Sequence, residues 1–206
     1  NIASLVLVGN IDVDKARTLA EKYFSNWERA EVPSFEYDDP NPTEVTNVAL
    51  MNRESSVQSV INIAHTIPYT TTSEDRIKVS VLNNIFGGSS SSRLFRNLRE
   101  DKGYTYGAYS NFDASRLIGE FSAGASVRNA VTDSAVTEFL YEMKRIREEE
   151  VTDEELNNAK ASLTGSFARS LESPQTVANF ALNIDRYNLP KDYYASYLQK
   201  LNDVSK

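Results

Sequence analysis

The chain has 206 residues, of which 40% are hydrophobic and 25% are charged, and these values are typical of a folded globular protein rather than a disordered one. Its 22 basic and 29 acidic side chains give a net charge of -7, which disfavours a general affinity for nucleic acids or anionic lipids. The absence of cysteine excludes disulfides, thiolate metal sites and a cysteine nucleophile, and no apolar run is long enough to predict a membrane span.

The start of the chain predicts a strand, a helix and a linker. The apolar run at residues 5–8 predicts a buried strand, and Asp12 or Asp14 then offers a cap for an amphipathic helix that extends to Trp27. Prolines accumulate among acidic side chains at residues 30–44, which predicts an extended linker over the surface. Because a strand begins so early and no initiator methionine precedes it, we expect the sequence to be a piece of a longer polypeptide.

Two alternating segments and a helix follow this linker. Residues 45–51 and 57–65 alternate in the manner of strands and are separated by a short polar stretch, so they predict a β-hairpin. A helix capped within residues 70–73 then carries apolar side chains on one side, namely Ile77, Val81, Leu82 and Ile85. Residues 117–127 predict a further strand.

Residues 84–110 carry most of the functional information. A loop of small residues at 87–92 opens a short helix with an apolar stripe formed by Leu94, Phe95 and Leu98. Arginines recur at every third position of this helix, so Arg93, Arg96 and Arg99 share one side. This spacing leaves a local basic patch open, although structural or solvated roles are favoured for Arg93 and Arg96. After Gly103 the period changes to two, and the predicted strand places five side chains on one side, namely Tyr104, Tyr106, Ala108, Ser110 and Phe112. We expect the helix and the strand to lie against each other, with Arg99 and Tyr106 projecting toward a common point.

The chain beyond residue 129 has a helical pattern. An apolar stripe from Val131 to Ile146 predicts one helix, Thr152 and Glu155 form a capping box for a second, and Pro174 occupies the first position of a third. A last short helix is predicted within residues 193–201. Strand pairs followed by helices favour an α+β fold in which a mainly antiparallel sheet is covered by helices, and we expect a single domain over residues 1–206.

The sequence SSRLFRNLREDKGYTY at residues 91–106 resembles the C-terminal, non-catalytic domain of pitrilysin-type zinc peptidases, a family that includes insulin-degrading enzyme and the mitochondrial processing peptidase. In that family an Arg and a Tyr seven positions later reach across to a peptide bound at the zinc of the other half, and Arg99 and Tyr106 match this pair in type and spacing. The resemblance extends in weaker form over nearly all of the chain. It implies the two-layer α+β sandwich of the processing-peptidase domains.

The zinc motif of the family is absent from this sequence. The catalytic half carries His-x-x-Glu-His, with two imidazole ligands and a glutamate base, whereas this chain has one histidine, His65, in a strand-like segment. The simplest interpretation of His65 is a strand residue satisfied locally. The resemblance therefore implies no metal in this chain and zinc in a catalytic partner half. A serine hydrolase of the triad type is disfavoured because a histidine base would be needed.

Arg99 and Tyr106 have a structural interpretation beside the functional one. Arg99 would then pair with a nearby carboxylate, and Tyr106 would pack its ring in the sheet. The surrounding motif favours substrate binding, where a guanidinium and a phenol would stabilise the negative charge of a peptide carbonyl under attack. Gly87 and Gly88 belong to a loop that lacks the pattern of a phosphate cradle, and the resemblance implies contact with a peptide.

Two functions remain open from the sequence. In the first, the chain is the substrate-binding, metal-free half of a zinc endopeptidase, and its partners are a peptide or unfolded protein substrate and a zinc-binding domain or subunit. In the second, it is a non-proteolytic scaffold or core subunit of the same fold, or a peptide-binding module. The sequence assigns no compartment, and a bacterial cytoplasm or periplasm would fit the resemblance equally.

Overall fold

The computed structural model describes residues 2–38 and 45–206. Three strands and seven α-helices follow one another in these residues, with a π-helix at Arg96–Asp101 and a 3-10 turn at Asn129–Val131. In chain order the elements are α1 (Val13–Phe24), β1 (Gln58–Ile67), α2 (Arg76–Phe86), α3 (Arg93–Phe95), the π-helix, β2 (Thr105–Asp113), β3 (Gly119–Arg128), the 3-10 turn, α4 (Thr132–Glu148), α5 (Asp153–Ser170), α6 (Pro174–Arg186) and α7 (Tyr197–Asn202).

The three strands form one antiparallel sheet in the order β1-β3-β2, with β3 in the centre. The register places Gln58 opposite Arg128 in the β1–β3 pair and Phe112 opposite Phe121 in the β2–β3 pair. Because successive side chains point to opposite faces, the apolar positions of each strand collect on one face. The predicted α+β fold with an antiparallel sheet and covering helices is confirmed.

The core lies between this face of the sheet and the helices α2, α3 and α4. Its buried members come from every layer, and they are Ile61, Phe86, Leu94, Leu98, Ala108, Phe121, Ala123, Val127, Ala135 and Phe139. Leu94, Phe95 and Leu98, the predicted apolar stripe, are all buried. Burial of a leucine or phenylalanine side chain contributes about 1.5–3 kcal/mol, so the short α3 is stabilised by its packing rather than by its length.

The chain divides into two compact units. Among the described residues, one unit comprises residues 45–163 and 198–206 and contains the sheet; the other comprises residues 2–38 and 164–197. Within the second unit, three aromatic rings stack one on another. The ring centroids of Phe167 and Phe180 are 5.9 Å apart, and those of Phe180 and Tyr194 are 3.6 Å apart. The predicted helix after Asp12 is present as α1, and the Asp12 carboxylate accepts from the backbone N–H groups of residues 14 and 15.

Two predicted strands are wrong. Residues 5–8 contain no strand, and Leu5, Leu7 and Val8 are exposed rather than buried. Residues 45–51 likewise form no strand, so the predicted hairpin is not made and β1 pairs with β3 instead. An apolar or alternating pattern produces a strand only where a partner edge and a core receive it, and within residues 2–38 and 45–206 these segments have neither. The predicted linker is exposed and irregular over residues 30–38, and its remaining residues, 39–44, lie outside the described part of the chain.

The basic patch that the sequence left open is not formed, because Arg93 is buried. Its Nε and Nη2 atoms donate to the two carboxylate oxygens of Glu155 at 2.6 and 2.9 Å. Glu155 also completes the predicted capping box, since it accepts from the Thr152 backbone N–H and its own N–H donates to the Thr152 hydroxyl. The Arg93 hydrogen bond is the main cause that lowers the pKa of Glu155 to about 2. Arg96 and Arg99 are exposed, so the three arginines do not share one environment.

We expect Arg93→Ala to lower the free energy of unfolding by about 2–3 kcal/mol, because it leaves the partly buried Glu155 carboxylate without its cation and removes the packing of the buried Arg93 side chain. Arg96→Ala is the matched control, since Arg96 lies in the same segment and is exposed. That change should stay within about 0.5 kcal/mol of the parent. Denaturant titration of the three proteins measures the difference. Equal stabilities of the two variants would contradict the assigned role of the pair.

The same pair predicts a pH dependence of stability. The pKa of Glu155 is about 2 in the folded chain against an ordinary 4.5, so the stabilisation is complete above pH 4.5 and is lost as the pH falls toward 2. Arg93→Ala removes the main cause of this shift. The free energy of unfolding of that variant should therefore change less over this pH window than that of the parent. Curves of equal slope would show that Arg93 does not set the titration.

Candidate functional site

The segment that carries Arg99 is a short, irregular helix. The hydroxyl of buried Ser92 accepts from the Phe95 backbone N–H, which begins α3, and the π-helix continues the chain to Asp101. The π-helix ends with the Lys102 N–H donating to the Asn97 carbonyl at 3.0 Å, five residues back. Gly103 then adopts a φ of 62°, a left-handed value that favours glycine, and the chain turns into β2. The predicted order of helix, tight turn and strand is confirmed.

Arg99 is exposed, and two contacts hold its guanidinium in place. Nη1 donates to the backbone carbonyl of Tyr106 at 2.7 Å, and Cζ lies 4.9 Å from the centroid of the Phe95 ring. A guanidinium has five N–H donors, so this single hydrogen bond to Tyr106 leaves most of them for other acceptors. No carboxylate lies within ion-pair distance of Arg99 in the part of the chain that the structure describes. Arg99 is thus a charged donor with a defined position.

Tyr106 presents its side chain to solvent, with 84% of the residue exposed. The sequence predicts that Tyr106 shares a side with Ala108, but Ala108 is fully buried. The cause is a β-bulge between Thr105 and Ala108. Thr105 pairs with Val127 and Ala108 pairs with Ala125, so β2 has one residue more than β3 between these two pairs. Thr105 holds this bulge, because its hydroxyl donates to the Ser126 carbonyl at 2.7 Å. The Tyr106 ring is therefore not packed in the sheet, and the contact with Arg99 is made by the Tyr106 backbone.

Gly87 and Gly88 differ in their surroundings. Gly87 is buried, and its carbonyl accepts from the Ser110 backbone N–H at 3.1 Å. A Cβ atom on Gly87 would collide with the Ser110 side chain and would lie 2.6 Å from the Ser110 backbone nitrogen. Gly88 is exposed and lines a half-open cavity of 220 Å³ together with Asn83, Asn84 and Asn111. Neither Arg99 nor Tyr106 lines this cavity, so peptide contact by Gly87 and Gly88 stays a prediction.

His65 lies on β1, where its ring is 5.4 Å from the Phe121 ring and Nδ1 is 3.1 Å from the Thr66 carbonyl oxygen. Across residues 2–38 and 45–206, no three His, Asp or Glu side chains are grouped so that they would hold a metal ion. None of the helices described is long and apolar enough to cross a membrane.

Residues 1–163 match the family described as the peptidase M16 inactive domain. The chain belongs to this family. Two similar curated proteins come from Bacillus subtilis. The uncharacterized zinc protease YmxG is 38% identical over 96 residues, which are 45% of this chain and 23% of YmxG. The probable inactive metalloprotease YmfF is 24% identical over 179 residues, which are 85% of this chain and 40% of YmfF.

Solved structures agree with the family assignment. The peptidase M16 inactive domain from Pseudomonas fluorescens aligns with a TM-score of 0.68 and 26% identity, over 73% of this chain and 36% of that one. A protease from Helicobacter pylori shares the fold, with a TM-score of 0.83 and 19% identity over 96% of this chain and 48% of that one. The M16 inactive domain described here thus spans less than half the length of each of these relatives.

Several polar residues that contact the π-helix of this M16 domain were not among the residues predicted from the sequence. Asn97 donates to both Glu138 and Glu142 of α4, and Glu142 is 2% exposed. A signal was present, because Glu142 falls at a helical spacing of three from buried Phe139 and so occupies the apolar face of α4. A carboxylate at such a position needs a partner, and the partner is not visible from α4 alone.

We expect Gly87→Ala to destabilise the fold by about 2 kcal/mol, because the new methyl group meets the backbone of β2 and neither segment can yield without breaking the Gly87–Ser110 hydrogen bond. Gly165→Ala is the control, since Gly165 lies within α5 and the nearest atom to its added Cβ is the end of the Arg169 side chain at 3.4 Å. That change should stabilise the helix by about 0.5–1 kcal/mol. Thermal and denaturant unfolding measure the stability of both variants. Equal stability of Gly87→Ala and the parent would contradict the packing role.

Proposed function

We propose that this chain is the substrate-binding, metal-free half of a pitrilysin-type zinc endopeptidase. Arg99 and Tyr106 contact a peptide that is cleaved at a zinc site held by another domain or subunit. The observation that carries the proposal is the arrangement of these two residues. An exposed guanidinium is held within hydrogen-bond distance of the backbone of a residue whose phenol is also exposed.

The chemistry of the pair suits a peptide carbonyl. When such a carbonyl is attacked, its oxygen gains negative charge, and donors already in position stabilise that charge without further reorganisation. The Phe95 ring and the Tyr106 carbonyl restrict the Arg99 guanidinium before substrate arrives, and the bulge directs the Tyr106 hydroxyl away from the core. Zinc in the partner half would supply the Lewis acid and activate the attacking water.

The partner half is part of the proposal. The chain has a single histidine and so lacks the His-x-x-Glu-His motif, whereas YmxG is named a zinc protease and the chain corresponds to 23% of its length. The remaining length of such a relative leaves room for a zinc-binding half. A substrate of this assembly is an extended peptide or an unfolded protein segment, since a folded protein would not present a backbone carbonyl to both halves.

A second candidate function is a scaffold without proteolysis. The similarity to YmfF favours it, because YmfF is named a probable inactive metalloprotease and aligns over 85% of this chain. In this alternative Arg99 and Tyr106 have no substrate, and the fold serves as a core subunit or a peptide-binding module. A His-x-x-Glu-His segment, in the parent chain or in a partner subunit, is required by the first function and not by the second, so its presence or absence discriminates the two.

In the assembly of this chain with its zinc-binding half, we expect Arg99→Ala to lower kcat/KM for an unstructured quenched-fluorescent peptide by about 10²-fold, because one preorganised donor is lost. Tyr106→Phe removes only the hydroxyl and should lower kcat/KM by about tenfold or more. Arg96→Ala, an exposed arginine of the same π-helix, is the control and should leave kcat/KM unchanged. Unchanged turnover in both site variants would leave the scaffold function as the better account.

A further inference from the structure

The π-helix that carries Arg99 is tied to α4 by Asn97 within it and by Lys102 directly after it. The Glu138 carboxylate accepts from the Lys102 ammonium at Oε1 and from the Asn97 side-chain amide at Oε2, each at 3.0 Å. The backbones of Asn97 and Lys102 are also joined, because the Lys102 N–H donates to the Asn97 carbonyl. Asn97, Lys102 and Glu138 therefore form a closed ring of hydrogen bonds around the π-turn, and Arg99 lies between Asn97 and Lys102 in the sequence.

Glu142 strengthens this attachment from within the core. Its Oε1 accepts from the same Asn97 amide nitrogen at 2.8 Å, and Arg145 Nη1 lies 3.5 Å from its Oε2. Two carboxylates four residues apart on a helix repel each other unless donors separate them. The Asn97 amide supplies one donor to each, and Lys102 and Arg145 balance the charge. Burial alone would raise the pKa of Glu138, but the hydrogen bonds from Asn97 and Lys102 outweigh it, and its pKa lies below the ordinary value.

A π-turn is rare and is maintained only where its surroundings determine it. Here the wider turn sets the direction in which Arg99 leaves the backbone, and that direction brings its guanidinium over Phe95 and onto the Tyr106 carbonyl. An α-helical turn in the same segment would rotate Arg99 relative to Asn97 and move its guanidinium along β2. The register of this turn is therefore coupled to the position of the candidate substrate contact.

We propose that Asn97 is a positioning residue, which through Glu138 and Glu142 holds the π-turn so that Arg99 meets the substrate. This inference rests on the proposed substrate role of Arg99, but the attachment of the turn can be tested without it. Asn97→Asp is the sharpest variant, because it keeps the shape of the side chain and replaces the shared donor by a third carboxylate. In the double variant of Asn97→Asp with Glu142→Gln, the side-chain amide at position 142 donates to the carboxylate at position 97. The hydrogen bond between the two positions is then restored in the reverse direction.

The first measurement is hydrogen–deuterium exchange of the full assembly. Asn97→Asp should raise the exchange rate of residues 96–104 by about tenfold or more, while β3 exchanges as in the parent, because only the turn is released. The double variant should restore the parent rate. Asn179→Asp, at an exposed asparagine of α6, is the matched control and should leave the exchange of residues 96–104 and of β3 at the parent rate. Exchange of residues 96–104 at the parent rate in Asn97→Asp would overturn the proposal.

The second measurement is a double-mutant cycle on turnover of the quenched-fluorescent peptide. Asn97→Asp should lower kcat/KM by about tenfold when Arg99 is present and should have no further effect in the Arg99→Ala background. Equal losses in both backgrounds would show that Asn97 acts on stability alone, and would overturn the positioning role. If Arg99→Ala itself leaves turnover unchanged, the proposed function fails, and the exchange measurement still decides whether Asn97 holds the turn.

Discussion

The ion pair between Arg93 and Glu155 is the contact on which the arrangement of the candidate site depends, because it fixes the start of the segment that carries Arg99. Arg93 is the first residue of α3, and 6% of it is exposed. Glu155 is stable in this environment because both of its oxygens meet the guanidinium and Thr152 adds further donors. Since α3 is a single turn, this pair and the burial of Leu94 and Phe95 replace the stability that a longer helix would derive from its own hydrogen bonds.

From this start, the site is assembled from two backbone irregularities that face each other. The π-helix carries Arg99, and the β-bulge of β2 carries Tyr106. Asn97 links the first to Glu138 and Glu142 of α4, and Thr105 links the second to the Ser126 carbonyl of β3. Irregular turns of this kind are costly and re-aim side chains, and they persist where neighbouring groups determine them. The hydrogen bond from Arg99 to the Tyr106 carbonyl then joins the two irregular elements directly.

The sequence predicts the features that depend on local chemistry and misses those that depend on distant residues. The α+β class, the helix capped at Asp12 or Asp14 and the capping box of Thr152 follow from periodicity and short-range hydrogen bonds. All three are present, with Asp12 as the cap. The patterns of residues 5–8 and 45–51 show that each segment has apolar side chains to bury. They do not show whether another strand lies beside the segment. The face of the sheet on which the Tyr106 side chain lies depends on a bulge, and the alternation of residue types in β2 does not indicate that bulge.

The three arginines of the segment show why spacing alone does not identify a site. Arg93 is neutralised by Glu155, and the nearby acidic side chains Glu138 and Glu142 meet Lys102, Asn97 and Arg145. Arg99 contacts a carbonyl and an aromatic ring, neither of which carries a counter-charge. A carboxylate at Arg99 would cancel the field that a developing oxyanion needs, whereas a carbonyl and a ring orient the guanidinium and leave its charge available. In the proposed function, a guanidinium held this way is suited to the negative charge that develops on a peptide carbonyl oxygen under attack.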